Sequence, residues 1–137
     1  MNLNKCLHVG IDIHGVIDAH PKFFARFTKR LQEQGHRVFI ITGGQGRPEL
    51  FEQLTEYDIH YDEFFSITDY HLNNGTEVTF ADPLNPWMDA EVWNRTKGDY
   101  CRENKIDILI DDTKEYGEWC TDTTFMHVLN KGDKDAK

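Results

Sequence analysis

The chain has 137 residues, the size of one ordinary domain, which leaves no length for two separately cored domains. Hydrophobic residues at 39%, with nine Phe, five Tyr and three Trp, supply a core and argue against an intrinsically disordered chain. A formal net charge of −9 disfavours extensive binding to nucleic acid or anionic lipid, where a basic surface supplies the attraction.

Residues 6–12 form a short apolar run that ends in Asp12 before a His-Gly turn, which predicts a buried strand entering a loop. Residues 21–34 then place Phe23, Phe24, Phe27 and Leu31 at helical spacing, with Pro21 in the first turn and Gly35 at the stop. Lys22, Arg26, Lys29 and Arg30 fit the solvated face of that helix better than an anion patch. A second buried strand at 37–42 leads through Gly43, Gly44 and Gly46 into a helix from about Pro48 to Glu56. Residues 63–68 read as a third strand, 97–104 as a helix, 106–110 as a fourth strand and 124–129 as a fifth. Apolar strands alternating with helices predict an α/β fold, a doubly wound, Rossmann-like parallel sheet of about five strands with helices on both faces. The expected organisation is one domain over 1–129, with a small insert at about 69–95 that could cover a site, and a polar, frayed tail at 130–137.

Three cysteines, Cys6, Cys101 and Cys120, without paired spacing, and a first ten residues without the apolar run of a signal peptide, point to reduced thiols and a cytoplasmic location. No apolar run approaches the roughly 20 residues that span a bilayer.

Ligands of open α/β sheets collect at the carboxyl ends of strands, so the polar residues after each apolar run locate the candidate site. The first strand delivers Asp12 and His14, the second Thr42 and the glycines, and the fourth Asp111 and Asp112, while Lys97 opens the helix that feeds the fourth strand. These are the parts that hold a divalent cation and a phosphate. Two carboxylates ~4 Å apart repel by about 4 kcal/mol at an effective dielectric of ~20, so three crowded together require a cation or protons. A hard, oxygen-preferring ion such as Mg²⁺ suits them. Asp111 and Asp112 could instead cap a helix from Thr113 onward, which accounts for neither Asp12 nor Lys97. The cysteines with His8 or His127 lack the close spacing of a zinc site. Arg47-Pro48 excludes a Walker A loop at the glycines, and a third glycine of a dinucleotide fingerprint is missing. Tyr70, Trp87 and Trp93 either stack on a base or sugar or pack the insert onto the domain.

In order, the motifs are Val9-Gly10-Ile11-Asp12-Ile13-His14-Gly15-Val16-Ile17, an apolar strand ending in Thr42-Gly43, Lys97, and Ile108-Leu109-Ile110-Asp111-Asp112. This ordered set resembles the haloacid dehalogenase-like superfamily of phosphotransferases, whose first motif is an apolar strand followed by Asp-x-Asp-Gly-(Thr/Val). The resemblance implies a Mg²⁺-dependent phosphomonoester hydrolase in which Asp12 becomes an aspartyl-phosphate and Thr42, Gly43 and Lys97 hold the phosphoryl group. It also implies metal binding by Asp12, the His14 backbone carbonyl, Asp111 and Asp112. Lys105, just before the fourth strand, would lie at the opposite end of the sheet, which favours Lys97. The departure is His14, which stands where the family has the acid/base Asp; an imidazole with a reference pKa near 6.5 can serve either role around neutral pH.

Only residues 18–20 separate the first motif from the first helix, so the chain resembles capless or minimally capped members, which act on large substrates or gain cover by forming homo-oligomers. Expected partners are therefore phosphorylated, small molecule or macromolecule, with nucleotides and sugar phosphates as the small candidates. The contrasting readings are a catalytically weak or inactive metal- and phosphate-binding module and a protein-interaction module that uses the insert.

Overall fold

The computed structural model describes residues 5–82 and 85–130. In chain order, β1 (His8–Ile11) runs into an irregular helical turn (Ile13–Ile17), followed by α1 (Pro21–Glu33), β2 (Arg37–Thr42), α2 (Pro48–Glu56), β3 (Glu63–Ser66) and α3 (Ile67–Asn73). A two-stranded hairpin of β4 (Thr79–Asp82) and β5 (Asn85–Trp87) comes next, then α4 (Ala90–Glu103), β6 (Ile108–Asp111), a 3-10 helix (Lys114–Trp119) and β7 (Thr124–His127).

β1, β2, β3, β6 and β7 form one parallel sheet in the order β3-β2-β1-β6-β7, so the chain starts at the centre and winds outward both ways. This is the expected doubly wound α/β fold. Side chains alternate across the sheet, and the period of two divides the apolar runs between two cores. Val9, Ile11, Val38, Ile40 and Ile110 pack with Phe24 and Leu54 under α1 and α2. Phe39, Ile41 and Leu109 face the other way and pack with Cys101 of α4. With both faces covered, β2 is buried from Val38 to Thr42, which explains why its sequence is apolar throughout rather than alternating.

Several boundaries differ from the sequence expectation. Strand β3 ends at Ser66, whose hydroxyl accepts from the Asp69 N–H and starts α3, so Ile67 and Thr68 are helical rather than extended. Helix α4 begins at Ala90, where Asp89 caps the Val92 N–H, and not near residue 97. The 69–95 stretch is thus most of α3, a β-hairpin and the first turn and a half of α4. The hairpin is a second small sheet that the sequence reading left out. Asn130 is held, its Nδ2 donating to the Gly15 carbonyl at 2.7 Å, and so is no part of a frayed tail; the remaining tail residues lie outside the described ones. Among the described residues no helix is long and apolar enough to cross a membrane.

Candidate active site

Asp12 and Asp111 close neighbouring parallel strands, and the Asp12 N–H donates to the Ile110 carbonyl at 3.0 Å, so adjacent strand ends bring both carboxylates together. Both are buried, Asp111 fully. Lys97 lies between them: Nζ is 2.6 Å from Asp111 Oδ2 and 3.2 Å from Asp12 Oδ1. The lysine sits in the middle of α4 rather than at its start, because the Asp89 cap places the helix start two turns earlier. At 1% exposure the lysine is buried, and the Tyr116 ring packs over its ammonium with the centroid 4.5 Å from Nζ. Tyr116 is in turn fixed by a 2.8 Å bond from Trp93 Nε1 to its hydroxyl.

Among the described residues, Lys97 is the cation that ion-pairs with Asp12 and Asp111. Oxygens of Asp12, Asp111 and Asp112 lie within 4.8 Å of one another, in what is, among the described residues, the group of acids, histidines or cysteines that could hold a metal ion. Burial, the largest effect, raises the Asp12 carboxyl from 3.8 to about 6; Lys97 pulls it down and Asp111 pushes it up. Burial opposes the charge on Lys97, but Asp12 and Asp111 outweigh it and raise the ammonium pKa. Asp111 is further committed through Oδ1, which accepts the Thr113 N–H at 3.0 Å. Asp112 lines the cleft and crosses Gly15, where φ is +81° and a Cβ would collide with the Asp112 carboxylate. Only glycine meets both requirements at that position.

Thr42 ends β2, fully buried, and its Oγ1 has no hydrogen-bond partner among the described residues. A buried hydroxyl left unpaired costs on the order of 1–3 kcal/mol, so its retention needs an explanation. The glycine turn beside it is held by α3: Thr68 Oγ1 donates to the Gly43 carbonyl at 2.6 Å, and Asp69 Oδ2 accepts the Gly46 N–H at 2.9 Å. Trp93 packs on Gly43 so closely that a Cβ there would stand 2.8 Å from its ring.

One cleft of about 590 Å³ is lined among others by Asp12, His14, Thr42, Lys97 and Tyr116. His14 stands at the mouth with its side chain 66% exposed, and its Nδ1 is 3.3 Å from Asp18 Oδ2. The other oxygen of Asp18 accepts the Gly15 N–H at 2.7 Å, anchoring the carboxylate that faces the imidazole. The hairpin brings Pro86 and Trp87 to the lining of the same cleft. The two tryptophans differ: Trp93 is a packing residue, whereas Trp87 is 67% exposed. Lys105 is exposed beyond the far end of α4, before β6.

Thus Asp12, His14, Thr42, Gly43, Lys97 and Asp112 line one cleft, with Asp111 behind Lys97. The sequence reading missed Tyr116, Asp18 and Thr68. Tyr116 lies four residues beyond the acid pair in a 3-10 helix that has no motif, but Asp18, four residues after His14, was within reach of a spacing argument.

No family model matches the chain, and no curated protein matches it in sequence. Two solved structures are similar to it. The core domain of a "putative phosphoglycolate phosphatase" from Streptococcus pneumoniae TIGR4 is 12% identical, with a TM-score of 0.50 over 96% of this chain and 94% of that one. A glycosyltransferase from Rickettsia africae ESF-5 is 13% identical, with a TM-score of 0.49 over 96% of this chain and 33% of that one, so this chain spans about a third of its length. At 12% identity the likeness to the Streptococcus pneumoniae domain shows the α/β fold and nothing finer.

Proposed function

We propose that this chain is a Mg²⁺-dependent phosphomonoester hydrolase of the haloacid dehalogenase type, acting through an aspartyl-phosphate on Asp12. The observation that carries the reading is the buried Thr42 hydroxyl, without a hydrogen-bond partner among the described residues, beside the buried cluster in which Lys97 faces both Asp12 and Asp111. A phosphoryl group supplies the missing acceptor oxygens, and a hard divalent cation supplies the missing charge.

The donor set fits that ion, being three carboxylates with oxygens within 4.8 Å and no sulfur ligand. Asp12, Asp111, Asp112 and the His14 backbone carbonyl are the groups that would hold it. When bound, the ion would supply positive charge to offset that of the nucleophilic carboxylate and the phosphoryl oxygens. The chain's own residues do the rest. An Asp12 carboxylate oxygen forms a bond to phosphorus while the bond from phosphorus to the leaving oxygen breaks, and imidazolium His14 gives that oxygen its proton. Neutral His14 then takes a proton from water as the water oxygen attacks phosphorus; the bond to Asp12 breaks and inorganic phosphate leaves. Lys97 and Thr42 hold the phosphoryl oxygens, and burial of Lys97 strengthens its attraction for developing negative charge. The exposed imidazole at the cleft mouth, held by Asp18, suits a group that serves the leaving oxygen and then water.

The test is an acid quench of the protein mixed with radiolabelled acetyl phosphate and Mg²⁺. Acid-stable label released by hydroxylamine, present in the wild type and absent from Asp12→Asn, supports the reading. Equal labelling of both proteins contradicts it.

A further inference from the structure

Two nucleophilic side chains that the mechanism does not use lie together behind the cleft: Cys101 on α4 and Cys120 at the end of the 3-10 helix, both free thiols. Their sequence spacing carries no pairing signal, because packing of the two elements makes the contact. Gly98 shows how close that packing is. A Cβ at this position would collide with the Trp119 carbonyl, so only glycine lets α4 lie against the end of the 3-10 helix. Cys101 is one turn beyond Gly98 and Cys120 directly follows Trp119, so the same close approach brings the two cysteines together. Cys120 packs against the apolar cluster in which Cys101 is buried with Phe39, Ile41 and Leu109.

The two sulfurs are not equivalent. Cys101 is 1% exposed, whereas Cys120 is half-buried. A hydrogen bond from the Cys101 thiol holds the Cys120 thiol below its ordinary pKa; burial and Asp111 oppose this, and Lys97 assists it. The same bond, with burial, pushes the Cys101 thiol up. The thiolate is the nucleophile, so Cys120 is the sulfur that meets an oxidant and Cys101 the one held in reserve.

We propose that Cys120 is a site of oxidation by hydroperoxides and that Cys101 resolves it, closing a disulfide between α4 and the 3-10 helix. The Cys120 thiolate sulfur attacks a peroxide oxygen, the O–O bond breaks, and the departing alkoxide or hydroxide takes up a proton, leaving Cys120 as a sulfenic acid. The Cys101 sulfur then bonds to the Cys120 sulfur while the S–O bond breaks, and the Cys101 proton leaves with hydroxide as water. Two thiols and one hydroperoxide thus become a disulfide, an alcohol or water, and a further water, with two electrons passing from sulfur to the peroxide. The bond staples the elements that carry Lys97 and Tyr116, with β6 inside the closed loop. Neither cysteine lines the cleft, so the proposal does not rest on the phosphatase reading.

The experiment exposes the reduced full chain to hydrogen peroxide and reads its intact mass and, without reductant, the peptides joined by disulfides. Loss of two hydrogen atoms within one molecule and a crosslink between Cys101 and Cys120, both reversed by dithiothreitol, are the expected results. Cys101→Ala strands the intermediate, so dimedone present with the peroxide is expected to label Cys120 there at least about twice as fast as it labels Cys6. Exposure alone predicts the reverse order, since Cys6 is exposed and Cys120 is not. Cys120→Ser is expected to form no intramolecular disulfide and to leave Cys101 unlabelled, because burial shields it. A crosslink through Cys6, no crosslink at all, or labelling of Cys6 ahead of Cys120 overturns the proposal. Where Cys101→Ala fails to fold, the wild-type crosslink decides the matter by itself.

Discussion

Asp12 concentrates the chemistry of the site in one carboxyl. Its pKa of about 6, raised chiefly by burial, exceeds the ordinary 3.8, so between those values the folded chain binds more protons than the unfolded one. Stability from this group is therefore present below about pH 3.8 and lost as pH rises through about 6. Without divalent cations, Asp12→Asn is expected to melt above the wild type at neutral pH, by a few degrees, with the difference vanishing toward the acid edge of that window; calorimetry at several pH values checks it. A constant difference across the window contradicts the burial argument. His14 gives a second expectation. Its side chain is exposed, so His14→Ala preserves the fold while lowering kcat by about 10²- to 10⁴-fold, and His14→Asp retains activity, as steady-state assays of both variants would read. At this scale the sequence was informative, because strand-end residues are placed by backbone register: Asp12, Thr42 and Asp111 each follow an apolar run. Tyr116 was not legible, because its contact with Lys97 depends on how the 3-10 helix packs against α4, and no local pattern encodes that.

Helix α4 shows why element boundaries were harder to read. Its amphipathic signal is weak, since Glu91, Asn94 and Arg95 are interleaved with Val92 and Trp93, and the apolar positions that reach the core come late, at Cys101. The start is set by one capping bond from Asp89, in a stretch that composition alone marks as loop. The β3–α3 boundary was hidden for the opposite reason: Phe64, Phe65, Ile67 and Thr68 favour a strand, and the Ser66 cap overrides them. Removing the cap by Asp89→Ala is expected to lower unfolding stability by about 1 kcal/mol, seen as a shifted denaturant midpoint with unchanged slope. Lys97 lies two turns away and is held by Asp12, Asp111 and Tyr116, so turnover should stay near wild type. A large loss of activity at full folding would show instead that the helix start positions the site.

For the whole molecule, a central β1 places the Asp12 motif beside β2 on one side and β6 on the other, so three strand ends meet at one edge of the sheet. Alternating apolar strands and helices were enough to expect this sheet. The hairpin was less legible because its strands are short and contain Pro86, and its sheet lies apart from the main one. An ion that binds only the folded site stabilises it by about 2.7 kcal/mol at a hundred times its dissociation constant. Mg²⁺ is therefore expected to raise the melting temperature of the wild type, and Asp111→Asn, which removes a fully buried carboxylate charge, to abolish that rise. The most direct test of the central claim is phosphate release from a broad phosphomonoester panel, with and without Mg²⁺, run beside Asp12→Asn. Release that requires Mg²⁺ and disappears in Asp12→Asn is the predicted result; release that persists in Asp12→Asn, or none on any member of the panel, would contradict the account.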